Sequence, residues 1–233
     1  MCAVIMGLKT HFTYREPGNV YSLLSNLVFM TVCLRGILEV LHLELPPELK
    51  HAGHKQFLTN ISAVATIAVQ SLSIICHLTG SWTLFRLKNY LHSIATSLEF
   101  VVSVIYWPLR LFFTHMILSK ESFIPLSTDL SIHLVPVVSL LFDFYFFMPN
   151  WTVTIPQAFL ITTLLDLLYW KWLDYVMDGS SKFPYPFLNV SEKERMVIFG
   201  AVILIVFGSF LVQKRLHSRV CPPIDDTIDT KKE

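Results

Sequence analysis

The chain has 233 residues, 53% of them hydrophobic and 15% charged, with a mean hydropathy of +0.55. Soluble domains carry about 25% charged residues, so this balance excludes one and predicts an integral membrane protein. A formal net charge of +1 from 18 basic and 17 acidic residues leaves no basic field, which excludes nucleic acid as a partner.

Lys9, His11, Arg15 and Glu16 precede the first long apolar run, which argues against a cleavable signal peptide. Six apolar stretches follow, over about 20–42, 57–78, 91–117, 131–149, 154–176 and 195–213, each near the roughly 20 residues that cross a bilayer core. Pro46-Pro47 with Glu44 and Glu48, the segments 80–88 and 119–129, Pro149-Asn150 and the segment 178–194 separate them. The runs are continuous rather than alternating, so they read as helices and not as barrel strands. The expected fold is all-α: one integral membrane domain over residues 1–233, with six transmembrane helices around a lipid-accessible polar cavity. Residues 221–233, with two prolines, three aspartates and two lysines, read as a disordered tail.

With six spans both termini share a side. That side would hold Lys9, Arg15, Arg86, Lys88, Lys214, Arg215, Arg219, Lys231 and Lys232, and the other Lys50, Lys55, Arg110, Lys120, Lys182, Lys193 and Arg195. The two sets are nearly balanced, and the cluster directly after the last span points to cytosolic termini. The Thr-Lys-Lys-Glu ending only approximates a dilysine retrieval signal.

Thr59 follows Gly53-His54-Lys55-Gln56-Phe57-Leu58 at the start of the second stretch, and His133 lies near the start of the fourth, in Asp129-Leu130-Ser131-Ile132-His133-Leu134-Val135-Pro136. Alternate spans enter from one face, so the hydroxyl and the imidazole lie at similar depth. A threonine hydroxyl becomes a nucleophile when a base takes its proton, and a neutral imidazole base is worth about 100- to 10,000-fold in rate. Asp129, four residues before His133, either orients the ring or is a solvated loop carboxylate. The N–H groups of Asn60 and Ile61, in the first turn after Thr59, are candidate oxyanion donors. From the residues alone, structural roles account for the pair as well: a threonine bonded to a carbonyl one turn back, around Lys55, which is the ordinary reading of that residue, and a histidine reaching the interface.

Arg35 and Glu39 are spaced as a self-neutralising pair. Glu99, Asp143 and Asp166 lie deep enough to shape a polar pocket or to bond to a neighbouring helix. Arg110 reads first as a snorkelling anchor and second as a partner for a fatty acid carboxylate. Trp170, Trp172 and Tyr185 fit an interfacial aromatic belt. His42, His51 and His54 lack a convincing set of co-ligands, so no metal is expected. A Gly-x-Ser-x-Gly elbow and desaturase-type histidine boxes are missing from the sequence. The four cysteines make no CxxC spacing, and Asn189-Val190-Ser191 is a formal glycosylation acceptor.

The run Gly53 to Thr59, the stretch from Ile124-Pro125 through His133 to Asp143, and Trp170-Lys171-Trp172 with Tyr185-Pro186-Phe187-Leu188 resemble the androgen-induced-gene / androgen-dependent TFPI-regulating protein family of multipass membrane proteins. Their order and spacing agree from about residue 50 to 213. The resemblance implies an intramembrane hydrolase of lipid esters, in particular fatty acid esters of hydroxy fatty acids, with Thr59 as nucleophile and His133 as base. It implies no metal or organic cofactor, a lipid ester and membrane lipids as partners, and residence in the endoplasmic reticulum or another endomembrane. From the residues alone the competing readings are a noncatalytic lipid-binding or regulatory scaffold and a transporter. No internal repeat supports the transporter, and only Pro108 and Pro136 hint at it.

Overall fold

The structure, a computed structural model, describes residues 15–113, 124–178 and 181–221. The described residues form seven helices and no strand: α1 Val20–Leu41, α2 Leu58–Thr79, α3 Trp82–Phe112, α4 Leu126–His133, α5 Val135–Phe147, α6 Ile155–Val176 and α7 Glu192–Val220. The expected tail beyond Cys221 and the end of the third stretch near residue 117 lie outside the described residues.

Local chemistry sets the helix ends. The Asn19 side chain accepts from the N–H groups of Tyr21 and Ser22 at 2.9 and 3.1 Å and starts α1. Gly80 takes a left-handed φ of 64° and ends α2, and the Ser81 hydroxyl caps α3 one residue later. With only those two residues between them, α2 and α3 fold back as an antiparallel hairpin. Capping boxes, Thr154 with Gln157 and Ser191 with Glu194, start α6 and α7.

Side-chain polarity is inverted relative to a soluble protein. On α2 the residues Thr59, Ser62, Thr66, Gln70, Ser73 and His77 recur at helical spacing and are buried, whereas Val64, Ile75 and Leu78 are exposed. That pattern suits a bundle whose outer face meets lipid and whose helices are joined by polar contacts within. Gln70 donates to the Ser139 hydroxyl at 2.9 Å and Thr66 to Glu99 at 3.0 Å. Gly36 lets α1 meet α4 closely, since a Cβ there would fall 2.6 Å from that of Ser131.

Four described helices, α1, α2, α3 and α7, are long and apolar enough to cross a membrane, and α4 with α5, bent by 42°, makes a fifth span if taken as one. The six-span expectation is therefore met in part. α6 has 22 residues, but Gln157, Asp166 and Lys171 dilute its apolar content. Two boundaries also differ. α3 begins at Trp82 rather than near residue 91, because Lys88 and Asn89 are buried inside the bundle instead of ending the span. The fourth stretch starts at Leu126 and breaks at Leu134, where Pro136 has no N–H to give to the carbonyl four residues back.

α1 to α5 pack around the polar interior, while α6 and α7 pack on each other and against α3. A cleft of about 920 Å³ lies between α3, α6, α7 and the start of α2. Its walls are largely aliphatic and aromatic, whereas the sequence led to the expectation of a polar cavity: the polar side chains close on one another in the interior.

Candidate active site

Thr59 sits in the first turn of α2 and lines one end of the cleft together with Leu58, Tyr106, Tyr169 and Tyr185. It is only 7% exposed. The loop before it is folded back by Gln56, whose side-chain amide donates to the carbonyls of Leu49 and Gly53 at 2.9 Å each. Two further bonds tie α6 to this turn, from Tyr169 to the Gln56 carbonyl at 2.8 Å and from Trp172 to the Lys55 carbonyl at 2.9 Å.

The polar neighbour of the Thr59 side chain is the Tyr185 phenol, and both line the cleft. The Tyr185 oxygen accepts from the Leu58 N–H at 3.0 Å. A short turn over Pro186–Leu188 sets Tyr185 in place, and its ring meets Phe57 edge-on at 6.2 Å. Burial raises the Tyr185 phenol above its ordinary value, so the proton stays on the oxygen at neutral pH. The N–H groups of Asn60 and Ile61 are not free to bind an oxyanion, because both donate to the Phe57 carbonyl at 3.1 and 3.2 Å. At this helix start it is the Leu58 N–H that faces a hydroxyl oxygen.

His133 ends α4, and α3 holds it from three positions. Ser103 donates to its carbonyl, and the Trp107 indole donates to the same oxygen at 3.3 Å. The break before Pro136 leaves backbone acceptors for such donors. Tyr106 stacks flat on the imidazole, with ring centroids 3.4 Å apart. The Nδ1 atom lies 2.9 Å from Asp129 Oδ1, one turn back, and donates to it. That fixes the tautomer and leaves Nε2 as the basic atom.

Asp129 is a buried hub and not a solvated loop carboxylate. It receives His133 and the Tyr106 hydroxyl on Oδ1, and Arg110 Nε on Oδ2 at 3.0 Å. Arg110 is thereby the counter-ion of Asp129 instead of a membrane anchor. A carboxylate so paired stays ionised and holds the ring in one orientation.

The fold thus brings the start of α2 and the end of α4 together, where Ala63 and Ile132 share an apolar cluster. Among the described residues no hydrogen bond joins Thr59 to His133. Tyr106 belongs to both environments, lining the cleft beside Thr59 and covering the imidazole face. Sequence reasoning missed Tyr106 and gave Tyr185 only a belt role. The Tyr185-Pro186-Phe187-Leu188 run was visible, but nothing local to it names Thr59 as its contact.

The three histidines considered for a metal are engaged separately. His42 Nδ1 lies 2.6 Å from the Leu38 carbonyl, His54 Nε2 lies 3.1 Å from that of Leu43, and His51 Nδ1 lies 3.4 Å from Asp178 Oδ2. Arg35 and Glu39 pair at 2.7 Å as their spacing suggests.

Residues 21–218 match the family model of FAR-17a/AIG1-like proteins. The chain is 32% identical to the UPF0641 membrane protein YHR140W of Saccharomyces cerevisiae, with 81% of this chain and 89% of the relative covered. It is 29% identical to the UPF0641 membrane protein PJ4664.05 of Schizosaccharomyces pombe, covering 74% and 78%. No solved structure matches it. The matched segment contains α2 to α6 and nearly all of α1 and α7, with Thr59, Tyr106, Asp129, His133 and Tyr185 inside it, and the chain belongs to the FAR-17a/AIG1-like family.

Proposed function

We propose that the protein is an intramembrane hydrolase of lipid esters, acting on fatty acid esters of hydroxy fatty acids, with Thr59 as nucleophile and His133 as base. The observation that carries this reading is the cleft: an apolar space of acyl-chain character ends at a threonine hydroxyl, and a carboxylate-oriented imidazole lies behind the ring that walls it. α6 serves as the sixth span, with the termini cytosolic and the site toward the opposite face of an endomembrane.

The ester enters sideways from the bilayer with its carbonyl carbon at Thr59. Tyr106 swings off the imidazole, and the contact between Thr59 and His133 closes, as catalytic hydrogen bonds often do only with substrate in place. Thr59 Oγ1 then attacks while Nε2 takes its proton, and the carbonyl oxygen becomes an oxyanion. The Tyr185 hydroxyl, held by the Leu58 N–H, donates to that oxyanion. His133 returns the proton to the departing alcohol oxygen, leaving an acyl-threonine. Water then attacks the acyl carbon, gives its proton to His133, and the fatty acid leaves as Thr59 is re-protonated.

A noncatalytic lipid-binding role draws on the same cleft and on the Tyr106 ring between the two residues. One assay separates the readings. Purified protein given a broad panel of lipid esters, without added cofactor, is expected to release fatty acid, with branched esters of hydroxy fatty acids turned over fastest. Folded protein that hydrolyses none of them would establish the binding role instead.

A further inference from the structure

The acidic group in the cleft wall, Asp166, has no part in the chemistry above. It lies on α6 four residues after Thr162 and three before Tyr169, so the three share one face, and all three line the cleft. Tyr169 sets the height of that face through its bond to Gln56, beside Thr59. At 1.5 Å per residue, Asp166 lies about 4.5 Å farther along α6 into the membrane than Tyr169.

Thr162 turns its hydroxyl back onto its own helix, to the Ala158 carbonyl at 2.8 Å. Asp166 makes no hydrogen bond or ion pair with any described residue. Much of the remaining wall is aliphatic, including Leu98, Val102, Leu165 and Val202. A half-buried carboxyl facing such a wall is costly unless something supplies a donor. The wall carries no second acidic group, so a neutral hydroxyl suits it better than an ammonium.

The space continues past this point. A second, small pocket shares Leu98, Thr162, Leu165 and Val206 with the first and reaches Val153 and Phe210.

We infer that Asp166 is a recognition subsite for lipid esters that carry a free hydroxyl several bonds from the ester carbonyl, the rest of the acyl chain running on toward Val153 and Phe210. The position of the ester rests on the proposed reaction at Thr59, whereas the hydroxyl contact does not require turnover. The hydroxyl belongs to the acyl chain or to the alcohol half of the ester, two sources of one chemistry.

The test uses purified full-length protein with 4-nitrophenyl palmitate and its 3-hydroxy and 6-hydroxy analogues, and in parallel a monoacylglycerol against the corresponding methyl ester. The readout is the ratio of kcat/KM between hydroxylated and plain esters. In the parent the favoured position is expected to exceed the plain ester by about 10-fold, the gain of one buried hydrogen bond. Asp166→Leu should erase that ratio and Asp166→Asn keep part of it. Preference in the 6-hydroxy arm locates the hydroxyl on the acyl chain, and preference in the glycerol arm locates it on the alcohol. A parent ratio near one in both arms, or a ratio unchanged in Asp166→Leu, would overturn the subsite while leaving the hydrolase reading intact. If no ester is cleaved, displacement of a fluorescent fatty acid from Thr59→Ala protein by 6-hydroxypalmitate and by palmitate decides the matter alone. Tighter displacement by the hydroxy acid, lost in the Asp166→Leu background, supports the subsite, and equal displacement overturns it.

Discussion

Thr59→Ala is expected to lower kcat/KM for ester hydrolysis by at least about 1,000-fold, because in the proposed reaction it removes the oxygen that would form the covalent intermediate. His133→Ala should cost about 100- to 10,000-fold, the usual worth of a positioned general base. Asp129→Asn tests the orienting role separately: an amide in that place no longer holds Nδ1–H by charge and frees the opposite tautomer. Its loss should approach that of His133→Ala. Thermal unfolding in the same detergent must accompany each rate, and Thr59→Ala should melt within a few degrees of the parent, since the change deletes one small polar group. Hydrolysis by Thr59→Ala at the parental rate would end the nucleophile assignment.

Lys88→Met is expected to destabilise the protein by about 3–5 kcal/mol, the usual effect of stranding one member of a buried ion pair. Lys88 is fully buried, and its Nζ lies 2.7 Å from Asp143 Oδ2. Asp143 is otherwise held by the Ser22 hydroxyl at 2.7 Å and the Asn26 amide at 3.1 Å, both donating to Oδ1, with His92 Nε2 3.7 Å from Oδ2. His77 Nε2 lies 3.4 Å from Lys88 and accepts on Nδ1 from the Asn19 N–H. Helices α1, α2, α3 and α5 meet at this knot, at the far end of α2 from Thr59, about 27 Å away by helical rise. Losing the ammonium leaves a carboxylate in a medium that cannot solvate it. In thermal melts the change corresponds to a fall of about 6–20 °C for a chain of this size. The double variant Lys88→Met with Asp143→Leu should be less destabilised than the sum of the singles by about 2 kcal/mol or more, because neither charge is then stranded. Strict additivity would show that the two residues do not act as a pair.

Apolar run length was enough to find most of the helical architecture in the sequence, because a bilayer demands long uninterrupted stretches. It failed at the start of α3, where Arg86, Lys88 and Asn89 look like a loop until Asp143, more than fifty residues away, is known to neutralise Lys88. It also failed to separate α4 from α5. Pro136 was in view, but a proline permits a kink without requiring one, and the bend is stabilised by Ser103 and Trp107 from another helix. At the site, Thr59 and His133 were singled out by their matching placement and chiefly by the family resemblance, and the four-residue spacing of Asp129 from His133 left a solvated loop carboxylate as open as an orienting one. The roles of Tyr106, Arg110 and Tyr185 were hidden because each depends on a contact across 19 or more residues. Aromatic residues near a membrane interface have an adequate ordinary explanation, and nothing local distinguishes the one whose hydroxyl accepts from the Leu58 N–H beside Thr59.

The central claim is that Thr59 carries the acyl group. Purified protein treated with a fluorophosphonate probe, which captures activated hydroxyl nucleophiles, can be digested and the adduct located by mass spectrometry. The expected result is one adduct on the peptide containing Thr59, absent from Thr59→Ala and formed far more slowly in His133→Ala. An adduct on another residue, or ester-hydrolysing protein in which Thr59→Ala labels as fast as the parent, would contradict it.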